Sequence, residues 1–352
     1  MQLPILEKNI RINLVPTFIK IDRTPSDDLL SIKDFVRNEN KNWKVLSRQL
    51  RLLSNFFDKY LFAVNYPYLH ASGCRMTKQA ASALNQLYDS KASCFSHVKA
   101  FRDRASDNLG CCPYCGLPSN ITLDHYLPKS IGAFPEYSVL SLNLVPACTP
   151  CQTKKSNFFS KVTTRHYLRN NRVGRIGSQK QAESPYCVRS VRGGGKFQYR
   201  RSQANKQPLR FIHPYFDDFI LRPVTAISFS GRDGELVKLI AKGKICRWER
   251  MTINFHIAKL NVSYRAGHAI RRYRDSIISD FRSRSITSIV DAKAELRHLY
   301  KSALKRAGGA LNSIEAVYIQ SLLAEPEVVG KLLEASLVPP PLNVVAFEGI
   351  SI

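Results

Sequence analysis

Two C-x-x-C pairs, Cys112-Pro113-Tyr114-Cys115 and Cys148-Thr149-Pro150-Cys151, restrict the folding of this chain more than any other feature. Such pairs form knuckles that each present two thiolates to one tetrahedral Zn²⁺. A metal held this way ties the chain into a closed loop, so the residues between the pairs must fold as an insertion anchored at both ends. The intervening 32 residues exceed the spacing of a simple zinc ribbon. The insertion therefore has room for structure of its own.

The remaining cysteines fit a reducing setting. There are 9 in 352 residues, too few for a disulfide scaffold. Cys111 would break the two-residue spacing and is read as a bystander. Cys74, Cys94, Cys187 and Cys246 are isolated and read as small buried hydrophobes. Charge narrows the partner: 53 Lys plus Arg against 27 Asp plus Glu give a net charge of +26, which calls for a polyanion, and nucleic acid comes first. No apolar run approaches the length of a membrane-spanning helix, and the first residues have an acid and a proline where a signal peptide would be basic and then apolar. The expectation is a soluble, cytoplasmic protein with no membrane partner.

Along the chain the fold class reads as α+β, mainly α-helical. Residues 1–104 form a helical N-terminal region: Trp43, Leu46, Leu50, Leu53 and Phe57 recur at helical spacing. A second helix is expected over Lys78 to Arg104, with a connection around Tyr66-Pro67-Tyr68 and Gly73. These stripes are read as core packing and nothing more. Residues 105–162 hold the cysteine-bounded core. Residues 163–210 form a basic, glycine-containing arm: from 161 to 210 there are 13 Lys or Arg and the single acid Glu183. Residues 211–338 read as a hairpin, Thr225–Phe229 against Leu236–Ile240 around Gly231–Gly234, followed by helices over Arg250 to Ser283, Thr287 to Arg306 and Ser313 to Leu323. Pro339-Pro340-Pro341 opens a tail, 339–352.

Within the insertion lie Asp124-His125-Tyr126-Leu127-Pro128-Lys129-Ser130 and Asn143-Leu144-Val145-Pro146-Ala147, the latter leading into the second pair, with Lys154-Lys155 beyond it. Hydrolysis of a phosphodiester needs a base for the attacking water and positive charge for the phosphoryl oxygens. A histidine titrates in the useful range, and an aspartate supplies a hard oxygen suited to Mg²⁺ or Mn²⁺. As strand neighbours, Asp124 and His125 point to opposite faces.

This pattern resembles the zinc-bound HNH (His-Me finger) nuclease motif. The resemblance implies a ββα-metal unit with Asp124 and His125 on the first strand, a second strand from near Asn143 and a helix from near Thr149. It implies His125 as general base, Asp124 as ligand to a catalytic Mg²⁺ or Mn²⁺, Asn143 as the brace of the intervening loop, and Cys112, Cys115, Cys148 and Cys151 as a structural Zn²⁺ clasp. The family's next motif position, usually His or Asn, is Gln152. Its extra methylene moves a ligating oxygen outward by about 1.5 Å, one carbon–carbon bond, so the second catalytic ligand is where the pattern departs. Asn157 lies more than a turn further along and substitutes poorly. Lys129, Lys154 and Lys155 are the candidate nucleic-acid contacts.

The wider frame, with Phe134-Pro135-Glu136-Tyr137-Ser138 and His213-Pro214-Tyr215-Phe216-Asp217, is similar to HNH subunits of Septu and retron-associated anti-phage systems. That similarity implies an effector nuclease, DNA favoured over RNA, beside an ABC-type ATPase, with or without a retron reverse transcriptase and its RNA and DNA. The chain has no G-x-x-x-x-G-K-[ST] loop of its own, so nucleotide control would come from the partner. His213 and Asp217 are read as a packed turn. Two alternatives stand: a stand-alone restriction or homing-type endonuclease, and a non-catalytic zinc-ribbon adaptor for nucleic acid. A zinc deaminase is excluded, because His97 is followed by Val98-Lys99 and not by x-Glu.

Overall fold

The computed structural model describes residues 23–38, 43–65, 76–130, 133–158, 160–161, 209–230 and 236–338. The N-terminal helices are α1 (Pro25–Asn38), α2 (Lys44–Ser47), α3 (Leu50–Asp58), α4 (Tyr60–Asn65), α5 (Lys78–Tyr88) and α6 (Ser96–Asn108). Thr24 and Asp27 open α1 reciprocally: the Thr24 amide donates to the Asp27 carboxylate at 2.7 Å and the Asp27 amide donates to the Thr24 hydroxyl at 3.2 Å, which satisfies two amides at the helix start.

The single helix expected over Lys78 to Arg104 is two. After Tyr88 the Ser90 hydroxyl accepts from the Ala92 amide at 3.2 Å, a local turn that competes with helix continuation, and a short 3-10 turn at Ser93–Phe95 leads into α6. The connection expected at Tyr66–Tyr68 and Gly73 lies outside the described residues.

Strand β1 (Ile121–His125) pairs antiparallel with β2 (Leu144–Cys148), His125 opposite Leu144 and Ile121 opposite Cys148, and α7 (Thr149–Lys155) follows at once. Two short strands, β3 (Ser160–Lys161) and β4 (Leu209–Arg210), pair antiparallel. The two ends of the basic stretch therefore meet, while residues 162–208 lie outside the described residues. The expected hairpin is present as β5 (Thr225–Ser230) with β6 (Leu236–Ala241); its turn residues Gly231–Gly234 are outside the described residues.

Helices α8 (Arg247–Lys259), α9 (Val262–Ser283), α10 (Ile289–Arg306), α11 (Ile314–Leu323) and α12 (Pro326–Leu337) complete the described chain. The helix expected from Arg250 to Ser283 is interrupted at Asn261, which adopts φ +53° and ψ +40°. Asparagine tolerates this left-handed conformation better than most residues, and one such residue redirects α9 without spoiling the apolar spacing on either side. Cys246 corrects a second expectation. It is exposed, and its sulfur accepts from the Glu249 amide at 3.5 Å while its own amide donates to the Glu249 carboxylate at 2.7 Å. It caps α8 and is not a buried hydrophobe. Cys94 is only half-buried, and Cys74 and Cys187 lie outside the described residues.

The core runs continuously through the cysteine-bounded insertion. Tyr60, Tyr126, Tyr137, Tyr215 and Phe211 are among its largest enclosed side chains. The first knuckle is clamped from the C-terminal side: the Ile314 amide donates to the Gly116 carbonyl at 2.9 Å. Gly116 has φ +68°, and a Cβ there would lie 2.5 Å from the Asn312 carbonyl oxygen. Only glycine meets both conditions.

Candidate functional site

Cys112, Cys115, Cys148 and Cys151 converge as the sequence requires. Their sulfurs all lie within 4.8 Å of one another, with Cys112 to Cys151 at 4.0 Å and Cys115 to Cys148 at 3.8 Å. The edge of a tetrahedron with 2.3 Å metal–sulfur bonds is about 3.8 Å, so the set is able to hold a metal ion such as zinc. All four are buried, and burial pushes the Cys112 thiol up. A cation that turns these groups into bound thiolates removes that penalty. The Cys148 amide donates to the Cys112 sulfur at 3.3 Å, and Arg265 of α9 donates to Cys148 at 3.7 Å and to Cys151 at 3.1 Å. Four thiolates around one Zn²⁺ leave two net negative charges, and Arg265 brings one positive charge against them. Cys111 stays outside the set; burial pushes its thiol up to about 11.

His125 and Asp124 end β1 and point apart. His125 is 8% exposed, packs edge-on to Tyr88 with ring centroids 4.4 Å apart, and its Nε2 lies 2.9 Å from the Ser138 carbonyl. A carbonyl only accepts, so Nε2 carries the proton and Nδ1 carries the lone pair. Burial, with the nearby Lys129 ammonium, pushes the imidazole down to about 3 and keeps it neutral.

Asn143 fastens the loop that carries Ser138. Its Oδ1 accepts from the Leu127 amide at 2.8 Å and the Tyr60 hydroxyl at 3.0 Å, and its Nδ2 donates to the Leu127 and Tyr137 carbonyls, both at 3.0 Å. Every hydrogen-bonding position of the amide is used, and the residue is fully buried. Asp28 of α1 secures the preceding turn, accepting from the Ser141 amide at 2.7 Å and its hydroxyl at 2.9 Å.

On the other face of β1 two rungs cross to α7. Asp124 Oδ2 lies 3.1 Å from Lys155 Nζ, which also donates to the His125 carbonyl at 2.6 Å. Gln152 Nε2 donates to Thr122 Oγ1 at 2.5 Å and to the Ala147 carbonyl at 2.9 Å. Thr122 and Asp124 share a strand face at i, i+2, and Gln152 and Lys155 share a helix face at i, i+3, so the two spacings match. Lys155, expected as a nucleic-acid contact, is 1% exposed and enclosed. Burial pushes the Asp124 carboxyl up and the Lys155 ammonium pulls it back.

The same rungs bear on the Mg²⁺ or Mn²⁺ expected at Asp124 and Gln152. Asp124 brings one carboxylate whose charge Lys155 already balances, and the Gln152 amide nitrogen is turned onto the strand. Among the described residues the one cluster of three or more His, Cys, Asp or Glu groups with metal-holding geometry is the cysteine set. As arranged, Asp124 is paired with Lys155, and the Gln152 amide nitrogen is bonded to Thr122 and Ala147.

Lys129 lies 4.1 Å from the centre of the Tyr88 ring and 3.6 Å from Asp89 Oδ2, and is 30% exposed; Lys154 is exposed. His213 and Asp217 form the packed turn expected of them: Asp217 binds Arg210 through both oxygens at 2.7 and 2.8 Å and accepts from the His213 amide at 2.6 Å. His213 Nδ1 accepts from the Tyr215 amide at 3.2 Å, and Nε2 faces the Tyr60 hydroxyl at 3.2 Å. The turn thereby supports Asn143 through Tyr60. Tyr88, Tyr60, Thr122 and Arg265 join the site without any signal in the sequence, while Ser138 lay in the Phe134–Ser138 stretch noted there without a role of its own.

No family model and no solved structure matches this chain. A stretch of 41 residues is 46% identical to protein ea31 of Escherichia phage lambda, covering 11% of this chain and 13% of that protein.

Proposed function

We propose that β1, β2, α7 and the four cysteines form a zinc-clasped HNH-type nuclease centre that hydrolyses nucleic-acid phosphodiester bonds. The observation that carries this reading is His125. Its Nε2–H is held by the Ser138 carbonyl, and the loop bearing Ser138 is fastened by Asn143. Nδ1 is therefore the basic atom, in a fixed ring, one residue from Asp124. In this reading Nδ1 takes the proton of a water attacking phosphorus as the phosphorus–oxygen bond to the leaving nucleotide breaks. Zn²⁺ holds the frame and takes no part in the reaction. A divalent ion at Asp124 would share the carboxylate with Lys155, which pairs with Oδ2.

DNA is the favoured substrate, with RNA next. The proposal extends to an effector nuclease of anti-phage defence beside an ABC-type ATPase, with or without a retron reverse transcriptase and its RNA and DNA. The Asp124–Lys155 pair favours one second reading, a zinc-clasped nucleic-acid adaptor that does not cut.

Purified chain and its His125→Ala variant, incubated with DNA and with RNA in Mg²⁺, Mn²⁺ or EDTA, separate the two. Loss of the base should lower cleavage on the order of 10²- to 10⁴-fold. No cleavage by the unmodified chain, alone or with a candidate ATPase partner, sinks the nuclease reading and leaves the adaptor.

A further inference from the structure

Helix α9 buries Val262, Ala266, Ala269, Ile270, Ile277 and Phe281 and turns an unusual stripe to solvent. Tyr264 is 66% exposed, one of the most exposed large side chains of apolar character among the described residues. It is packed nonetheless: its ring lies edge-on to His268 with centroids 5.1 Å apart, and Arg271 Nη2 donates to His268 Nδ1 at 2.8 Å. The three residues follow one another at i, i+4 and i+7, one face of the helix. Arg272 is exposed beside them, and α9 has no acid before Asp275. The stripe starts at the cysteine clasp, because Arg265, next to Tyr264, is the residue bonded to Cys148 and Cys151.

An exposed aromatic ring held in place by its own neighbours, followed by guanidinium groups, has the elements of a single-strand binding track: a face for an unpaired base and cations for the phosphates. From Tyr264 to Arg271 the helix rises about 10 Å, the length of roughly three stacked nucleotides at 3.4 Å each. A duplex offers the arginines its phosphates but has no free base for the ring. We propose that the Tyr264–His268–Arg271 face of α9 binds single-stranded nucleic acid, with Tyr264 stacking on a base and Arg271 and Arg272 on the adjoining phosphates. The proposal deepens the nucleic-acid reading above by naming the strand state of the ligand, and it does not depend on cleavage.

The test is binding without turnover. Fluorescence anisotropy in EDTA, on the His125→Ala background, compares a labelled oligodeoxythymidine with a duplex of equal length. Tyr264→Ala should weaken single-strand binding about tenfold or more, Tyr264→Phe should keep it, and both should leave duplex binding unchanged. Replacing both Arg271 and Arg272 by alanine should flatten the log–log salt dependence by about 1.4. Equal affinity of Tyr264→Ala and the parent for the single strand overturns the proposal, as does a duplex bound as tightly and with the same sensitivity to Tyr264→Ala. Because the assay contains no cleavage, absence of nuclease activity does not affect its outcome.

Discussion

Replacing Lys155 by methionine keeps most of the buried stem and removes one charge. Its ammonium lies 3.1 Å from Asp124 Oδ2 and 2.6 Å from the His125 carbonyl, at 1% exposure. Removing one partner of a buried pair strands the other charge, at a cost of about 3–5 kcal/mol. Asp124 is 16% exposed and recovers part of its hydration, so the low end, about 3 kcal/mol, is the expected loss at pH 8. The pH dependence follows from the carboxyl. Burial already pushes it up, and Lys155 is what pulls it back, so in Lys155→Met its folded value rises further above the unfolded one. A group with a raised folded value gains folded-state stability as pH falls through that value, so the deficit against the parent should shrink toward pH 5. Asp124→Asn placed on Lys155→Met removes the stranded charge and should recover most of the loss. Urea unfolding of the three proteins at both pH values measures all of this. A deficit below about 1 kcal/mol at pH 8, a deficit that does not change with pH, or no recovery in the double variant would refute the reasoning.

The parent protein should contain one zinc per chain by elemental analysis, and Cys148→Ser should lose both the metal and the cooperative unfolding transition; Arg265→Leu should keep the metal but release it faster to a chromogenic chelator, since it supplies the two side-chain bonds to Cys148 and Cys151. His256 sets an acid limit. Its Nδ1 accepts from the Ile212 amide at 3.1 Å while Nε2 faces the Tyr114 carbonyl at 2.6 Å, an arrangement only the neutral ring satisfies, and burial pushes it down to about 4. Stability should be intact above pH 6.5 and fall by roughly 3 kcal/mol as pH drops from there toward 4; His256→Gln should flatten that part of the unfolding-against-pH curve, and an unchanged slope would exclude His256 as its source.

The parts of the site that were readable from the chain are those fixed by neighbours in sequence. The cysteine spacing located the clasp, and the strand–strand–helix order around Asp124, Asn143 and Thr149 is found at the residues expected. What stayed hidden depends on rotation and on distant partners. Lys154 and Lys155 are adjacent, yet one faces solvent and the other is enclosed, because 100° of helix separates their directions. Tyr88 and Arg265 reach the site from the N-terminal and C-terminal helices, at separations that leave no periodic trace. The long helix read over Arg250 to Ser283 has the correct apolar spacing on both sides of Asn261, so the pattern could not disclose that one left-handed residue divides it.

The bond from the Ile314 amide to the Gly116 carbonyl bears on how the protein matures. All four cysteines have been synthesised once Cys151 emerges, but the residues that bond the two pairs from the C-terminal side lie near 256, 265 and 314. At 5–20 residues per second, the intervening stretch of roughly 160 residues takes on the order of ten seconds to translate. A nascent chain thus presents all four thiols well before the residues that clamp them are made, and a ribosome stalled in that interval holds a first knuckle that still lacks its clamp.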